Sequence, residues 1–277
     1  MKKKAIIFFI ILVIAGILAF AFSTRLKIVT YNVKSSEINS EIKLALVTDL
    51  HSCYYGEKQS KLLNEIEKYH PDAVLLCGDI FDDVQDDDNA NIFIDSIAKK
   101  YKTYYVSGNH EWWSGRMEEM FDSLAEKGVF ILRGSTDKLT VGNETISISG
   151  IDDPEVNVYD SKYTKWEEQL EKAGESLEKN NFNLLLAHRP ELAQRYFEYD
   201  FDLVLVGHAH GGQFRIPYIM NGVYAPGQVF FHEFAGGIYD FNGRKMIVSR
   251  GLAKESTRIP RVFNRPELVF VNLIPQE

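Results

Sequence analysis

The sequence predicts an α/β fold built from parallel strand-helix-strand units. Short apolar, β-branched runs alternate with longer segments whose charged residues recur at helical, surface-like spacing. Five of those runs stop at residues able to bind a metal. They are 44–47 before Asp49 and His51, 73–76 before Gly78-Asp79, 104–106 before Gly108-Asn109-His110-Glu111, 184–186 before His188, and 203–206 before Gly207-His208-Ala209-His210. In an open α/β sheet the carboxyl ends of parallel strands share one edge, so residues just past them converge in space. Five of the seven histidines lie in these segments, which scattered core or surface histidines would seldom do.

Residues 5–22 are an uncharged apolar run preceded by Lys2, Lys3 and Lys4, long enough to cross a bilayer. The three lysines favour an N-in signal anchor with the domain outside the cytoplasm, although Arg25 and Lys27 weaken the asymmetry. The alternative is a signal peptide cleaved after the small residues around Ala19-Phe20-Ala21, and secretion. The expected division is therefore an anchor or signal segment at 1–27, a tether at 28–40 and one catalytic domain at 41–277, because no linker composition interrupts the rest. In that domain the first series is strand 43–48, helix about 58–69, strand 73–77, helix about 89–99, strand 103–106 and helix about 115–127. The second is strands near 129–132 and 145–149, a polar helix near 161–178, strands 183–187 and 203–206, and a hairpin of 237–241 and 245–249 turned at Asn242-Gly243. Pattern alone leaves open whether these strands form one doubly wound sheet or two sheets.

The net charge of −8 argues against a nucleic-acid binder, whose footprint is basic. Residues 244–265 run the other way, with seven Lys or Arg against Glu255. That stretch reads either as a solvated face or as a rim attracting phosphate or anionic lipid head groups. Asp82, Asp83, Asp86, Asp87 and Asp88 read as a hydrated loop, since no defined cage of ligands accompanies them. Cys53 and Cys77 read as small residues near the core, with a bridge between them conceivable outside the cytoplasm. Trp112, Trp113, Phe230, Phe231 and Phe234 read as core or as an acyl-chain groove, and His232 as a packed loop residue or a substrate contact. His70, in a helix-to-strand turn before Pro71, is given no role.

Asp49-x-His51, Gly78-Asp79, Gly108-Asn109-His110-Glu111, His188 and Gly207-His208-x-His210, in that order, resemble the calcineurin-like metallophosphoesterase superfamily. The resemblance runs from about residue 41 to the C-terminus. The stretch Gly207-His208-Ala209-His210-Gly211-Gly212-Gln213 is similar to a branch of small, often membrane-associated bacterial phosphoesterases, as are Val248-Ser249-Arg250-Gly251-Leu252 and Arg265-Pro266-Glu267-Leu268. Where that branch commonly carries Gly after the Leu, this chain has Ala253. The resemblance implies a two-sheet α-β-β-α sandwich. It also implies a binuclear metal-dependent hydrolase of phosphoester, phosphodiester or pyrophosphate bonds, with a phosphorylated and plausibly lipid-linked or cell-envelope substrate.

Hydrolysis of such bonds needs an activated water, charge neutralisation on phosphoryl oxygens and a proton for the leaving group, and two divalent ions about 3.5–4 Å apart supply the first two. An anion must sit between such ions, and Asp79 is the expected bridge. From the resemblance, Asp49, His51 and His210 complete one metal shell and Asn109, His188 and His208 the other. This mixed donor set suits Mn, Fe, Zn or Co better than Ca. His110 is implied as the protonated leaving-group acid, the alternative being a support for Asn109. Glu111 is expected either to orient that ring or to be an exposed acid, and Gln213 and Arg250 are expected at the substrate. A metal-free interaction scaffold is the competing class, disfavoured because every expected ligand is present. A two-metal hydrolase of a non-phosphate substrate is the third.

Overall fold

The computed structural model describes residues 2–159, 162–217, 219–224, 233–254 and 260–276. In chain order the elements are α1 (Lys2–Ala21), β1 (Lys27–Ser35), β2 (Ile42–Val47), α2 (Ser60–Tyr69), β3 (Ala73–Cys77), α3 (Asp88–Ala98), β4 (Lys102–Val106), α4 (Asn109–Trp113), α5 (Met117–Glu126), β5 (Phe130–Ile131), β6 (Ser135–Val141) and β7 (Glu144–Gly150). They continue with α6 (Val156–Tyr159), α7 (Trp166–Glu175), β8 (Asn183–Leu186), α8 (Ala193–Tyr196), β9 (Leu203–Val206), β10 (Gly237–Phe241), β11 (Arg244–Val248) and β12 (Glu267–Pro275).

The strands form two six-stranded sheets, ordered β1-β12-β2-β3-β4-β5 and β10-β11-β9-β8-β7-β6. The single doubly wound sheet is thereby excluded. Apolar runs that strands bury on both faces explain why pattern could not separate the two cases. Leu44, Leu46, Leu75, Tyr104, Leu184, Leu186, Leu205 and Ile247 point between the sheets into one cluster. Their neighbours Ala45, Val47, Val74, Leu76, Leu185, Val204 and Val206 point outward under Leu62, Ile66, Phe93, Ile94, Leu170 and Ala173 of the helices.

β2, β3 and β4 run parallel in one sheet, and β7, β8 and β9 in the other. β3–β2 and β8–β9 therefore present their carboxyl ends at loops that meet, as Asp49 and His208 do below. Three expectations about elements change. Residues 27–35, expected within the anchor and tether, are the edge strand β1, paired in parallel with β12 along its whole length. β6 and β12 were not anticipated, and the helix expected near 161–178 occupies Trp166–Glu175. Cys53 and Cys77 are buried and not bridged.

After Lys2, Lys3 and Lys4, α1 is uniformly apolar, its mean hydropathy reaching 2.8, and its side chains are exposed rather than packed on the domain. By length and composition it can cross a membrane.

Candidate metal centre

Each expected ligand sits two to four residues past a strand end, and the loops hold most of them in unusual backbone conformations. Asp49, His51, Asp79, His208 and His210 all have φ between 45° and 62°. Left-handed backbone at non-glycine residues is costly and gathers where the surroundings enforce it. Gly78 and Gly108 make the close approach possible: a Cβ on Gly78 would lie 2.3 Å from His188 Nδ1, and one on Gly108 2.2 Å from Asp79 Oδ1.

The loops lock to one another through the ligands' own spare atoms. Asp49 Oδ1 accepts the His208 amide at 2.8 Å, joining the two sheets, and Asp79 Oδ1 accepts the His110 amide at 2.9 Å. His188 Nδ1 lies 2.8 Å from the Cys77 carbonyl and His51 Nδ1 2.9 Å from Asp82 Oδ2. Those oxygens only accept, so both Nδ1 atoms carry the proton and Nε2 faces the centre.

The atoms left over are buried and have no hydrogen-bond partner: Asp49 Oδ2, His51 Nε2, Asp79 Oδ2, Asn109 Oδ1, His188 Nε2 and both ring nitrogens of His208. Buried polar atoms are ordinarily satisfied, so this many unpartnered donors converging in one place fit a shared cation. Asp79 Oδ2 lies 3.6 Å from His51 Nε2 and 3.1 Å from His188 Nε2, near both without hydrogen-bond alignment. Two donor groups share Asp79: Asp49, His51, Asp79 and His210 in one, Asp79, His188 and His208 in the other. Within each, the donor atoms lie within 4.8 Å of one another. The imidazole, carboxylate and amide set fits a pair of divalent cations, and the site is a clustered His/Asp centre of binuclear type.

Electrostatics agree. Burial opposes a charge on His188, yet the Asp79 carboxylate overrides it and raises the ring to about 10, so the centre calls for positive charge there. Burial pushes His208 and His210 well below the usual imidazole range, helped by His188 and His51 respectively, keeping both rings neutral and able to ligate.

His110, at the start of α4, lies just outside. Its ring meets His51 edge-on at 4.4 Å and Trp113 at 4.9 Å, and its Nδ1 is 2.6 Å from Asp83 Oδ1. Burial disfavours the imidazolium, but Asp79 and then Asp83 and Asp82 raise its pKa above the ordinary value.

Several expectations need correcting. Asp82 and Asp83 are not simply a hydrated loop: Asp82 is buried and fixes His51, and Asp83 engages His110. Asp87 pairs with Arg116. The spacing Gly78-Asp79-x-x-Asp82, one turn beyond the expected bridge, was the available signal. Glu111 is neither exposed nor set against the His110 ring. Fully buried, it accepts the amides of Asp79, Ile80, Phe81 and Gly108 at 2.7–3.2 Å and so ties the two ligand loops together. Burial, then Asp79, pushes its carboxyl up to about 7.

Arg250 is turned inward, its guanidinium donating to Asn221 and the Gly236 carbonyl, so it braces a loop instead of reaching for substrate. Arg261, also expected on a lipid-facing rim, is buried and donates to the Arg250 carbonyl at 2.7 Å. Gln213 is buried beside His210 with Oε1 unpartnered. Asn264, missed in the sequence, donates to the carbonyls of His210 and Gln213. Trp112 is core, donating to Ser107, whereas Trp113 is exposed beside His110. Phe230, Phe231, His232 and Arg258 lie outside the described residues.

Two α/β sheets with a shared His/Asp centre at their joined strand ends define a metal-dependent hydrolase architecture. The chain belongs to the calcineurin-like phosphoesterase family, whose model matches residues 42–212. An uncharacterised metallophosphoesterase of Campylobacter jejuni is 28% identical over 247 residues, covering 87% of this chain and 62% of that protein. A transmembrane protein with a metallophosphoesterase domain from Bos taurus is 27% identical over 190 residues, covering 63% of this chain and 41% of that one. The chain thus spans less than two thirds of either relative. Among solved structures, Haemophilus influenzae NAD nucleotidase superposes with a TM-score of 0.51 at 18% identity, over 77% of this chain and 45% of that one, a likeness of fold.

Proposed function

We propose that the protein hydrolyses a phosphoester, phosphodiester or pyrophosphate bond of a lipid-linked or cell-envelope substrate, from a membrane-anchored domain outside the cytoplasm. It belongs, on this reading, to the small bacterial branch marked by Gly207-His208-Ala209-His210-Gly211-Gly212-Gln213. One observation carries the reading: two groups of orphaned buried donors share Asp79, with His110 beside them.

Asp49, His51, Asp79 and His210 would hold one divalent ion, and Asp79, Asn109, His188 and His208 the other. When bound, such a pair activates water and neutralises phosphoryl charge. The residues supply the rest. Asp82 and the Cys77 carbonyl keep the protons of His51 and His188 on Nδ1, away from the centre. Glu111 keeps the Asp79 and Asn109 loops in register. Asp83 holds His110 through Nδ1, so the proton that can pass to the departing oxygen is the one on Nε2. Gln213 Oε1 can accept a hydrogen bond from a substrate hydroxyl or amide.

The test is to load the purified protein with Mn, offer an aryl phosphomonoester, an aryl phosphodiester and a nucleotide-sugar lipid, and identify the released phosphate species by mass spectrometry. Release from the diester or pyrophosphate is expected. A metal-loaded protein inert towards all three, but active on an acyl amide, would refute phosphate as the substrate class.

A further inference from the structure

The C-terminal end of α1 does not leave the domain on a loose leash. The Ala21 carbonyl accepts the Phe263 amide at 2.7 Å, and Phe20 packs on the Phe263 ring with centroids 6.0 Å apart. Arg265 donates to the carbonyls of Arg25 and Leu26 at 2.8 Å, and the Lys27 amide donates to Pro266. Next along the same segment, Val262 exchanges backbone hydrogen bonds at 3.0 Å with Gln213 and Arg215, forming a parallel bridge to Phe214. The loop that starts at Phe214 is therefore two chain segments from the end of the apolar helix.

That loop exposes apolar side chains a soluble surface would not need. Ile219 is 81% exposed, and Phe214 and Ile216 are exposed as well, with Phe22 at the helix end. Neighbouring exposed apolar residues of this kind mark an interaction face. The three segments that meet here, 20–27, 213–224 and 260–266, place Arg25, Lys27, Arg215 and Arg265 around these side chains, with Glu267, 3.9 Å from Lys27, as the acid that adjoins them, in a chain whose net charge is −8. Apolar side chains ringed by cations are what a surface seated at the boundary of head groups and acyl chains requires.

We infer that Phe214, Ile216 and Ile219 dip into the anionic leaflet from which α1 emerges, and that this second contact sets the metal centre at head-group level. Continuity with the apolar helix selects the bilayer as the occupant, and the excess of cations selects anionic lipid. The link to the site is short, since Asn264, between Phe263 and Arg265, donates to the His210 carbonyl at 2.7 Å. A domain fastened at two points cannot swing freely on its anchor, so the substrate that reaches it is one the membrane presents. The inference rests on α1 spanning the bilayer.

The test uses the full chain in nanodiscs of phosphatidylcholine with phosphatidylglycerol. A nitrobenzoxadiazole label goes on I219C or, as a control remote from the patch, on K179C, an exposed position. Both native thiols are buried, and unmutated protein carried through the labelling corrects for them. Lipids with a shallow doxyl group should quench the label at position 219 about twofold or more over that at 179, and removing phosphatidylglycerol should reduce the difference. Equal weak quenching, with the protein still co-eluting with the discs, would leave the anchor reading standing and overturn the contact. A blue-shifted label at 219 that doxyl lipids do not quench would mean that a second copy covers the loop, again overturning it. Protein that fails to enter the discs would remove the anchor reading and the inference with it.

Discussion

Asp79 meets two demands with one carboxylate: Oδ1 holds the His110 amide while Oδ2 stands between His51 Nε2 and His188 Nε2. An amide in its place keeps the first role and loses the negative charge needed between two cations. Asp79→Asn should therefore lower kcat by more than about 10²-fold at saturating Mn, with near-normal folding and less than two metal equivalents by elemental analysis. Near-normal turnover would sink the shared-carboxylate reading. His110 separates from the ligand set because its Nδ1 contact is Asp83. His110→Ala should cost about 10²–10⁴-fold on substrates with poor leaving groups, less on nitrophenyl esters, and leave both metals bound. Asp83→Asn, which keeps an acceptor for Nδ1 but removes a charge that favours the imidazolium, should follow the same leaving-group pattern with a smaller loss. Metal loss from either variant would make the pair structural.

At the scale of elements, legibility followed burial. β2, β3, β4, β8 and β9 are buried at nearly every position, so they read as continuous apolar runs. β1 and β6 are edge strands with one fully buried residue each, Val33 and Leu139, and an edge strand without a buried face has little pattern to find. The ligands were visible for the same reason as the central strands, because they punctuate them. Asp82 and Asp83 were hidden in an acid-rich composition that reads as solvated, and Arg250 and Arg261 in a basic one, since composition does not report which way a side chain turns. β1 also carries a prediction. Its loss would uncover the long edge of β12 and the apolar contact of Val33, so a chain beginning at residue 36 should be less stable by about 2 kcal/mol or more than one beginning at residue 24 and should aggregate. Equal melting temperatures and solubility would show that β1 is dispensable. A second prediction belongs to the start of β8, where Asp202 accepts the Asn183 amide at 2.8 Å. Burial, with Glu37 adding to it, raises this carboxyl from 3.8 to about 6. Between those values the folded chain binds more protons than the unfolded one, so this group's contribution to stability falls as pH rises through about 6. Asp202→Asn should flatten that fall, raising the melting temperature at pH 7 relative to pH 5 by only a few degrees, because solvent screens a half-buried group. An unchanged pH profile would assign the fall elsewhere.

Over the whole molecule, the centre is where two sheets are joined. Asp49, His51, Asp79 and Asn109 come from the sheet containing β2, β3 and β4, and His188, His208 and His210 from the sheet containing β8 and β9. Direct bonds across that seam are few at the site itself, chiefly His208 to Asp49 and His188 to Cys77. Facing them are two fully buried carboxylates, and burial followed by the field of Asp79 pushes Asp49 upward. A cation bound by both sets would cross-link the sheets and relieve that repulsion only in the folded chain. Ligands that bind only the native state stabilise it by mass action, by about 4 kcal/mol when present at a thousand times their dissociation constant. For a domain of this size the corresponding shift is about 10 °C. Chelation should therefore lower the melting temperature by roughly that amount without changing secondary structure at room temperature, and Mn or Zn should restore it while Ca does not. Asp79→Asn should melt at nearly the same temperature with and without chelator, because the shared anion that makes the cross-link is gone. A wild-type chain indifferent to chelator would mean that the seam is held by packing alone, and that the orphaned donors are not joined by a cation.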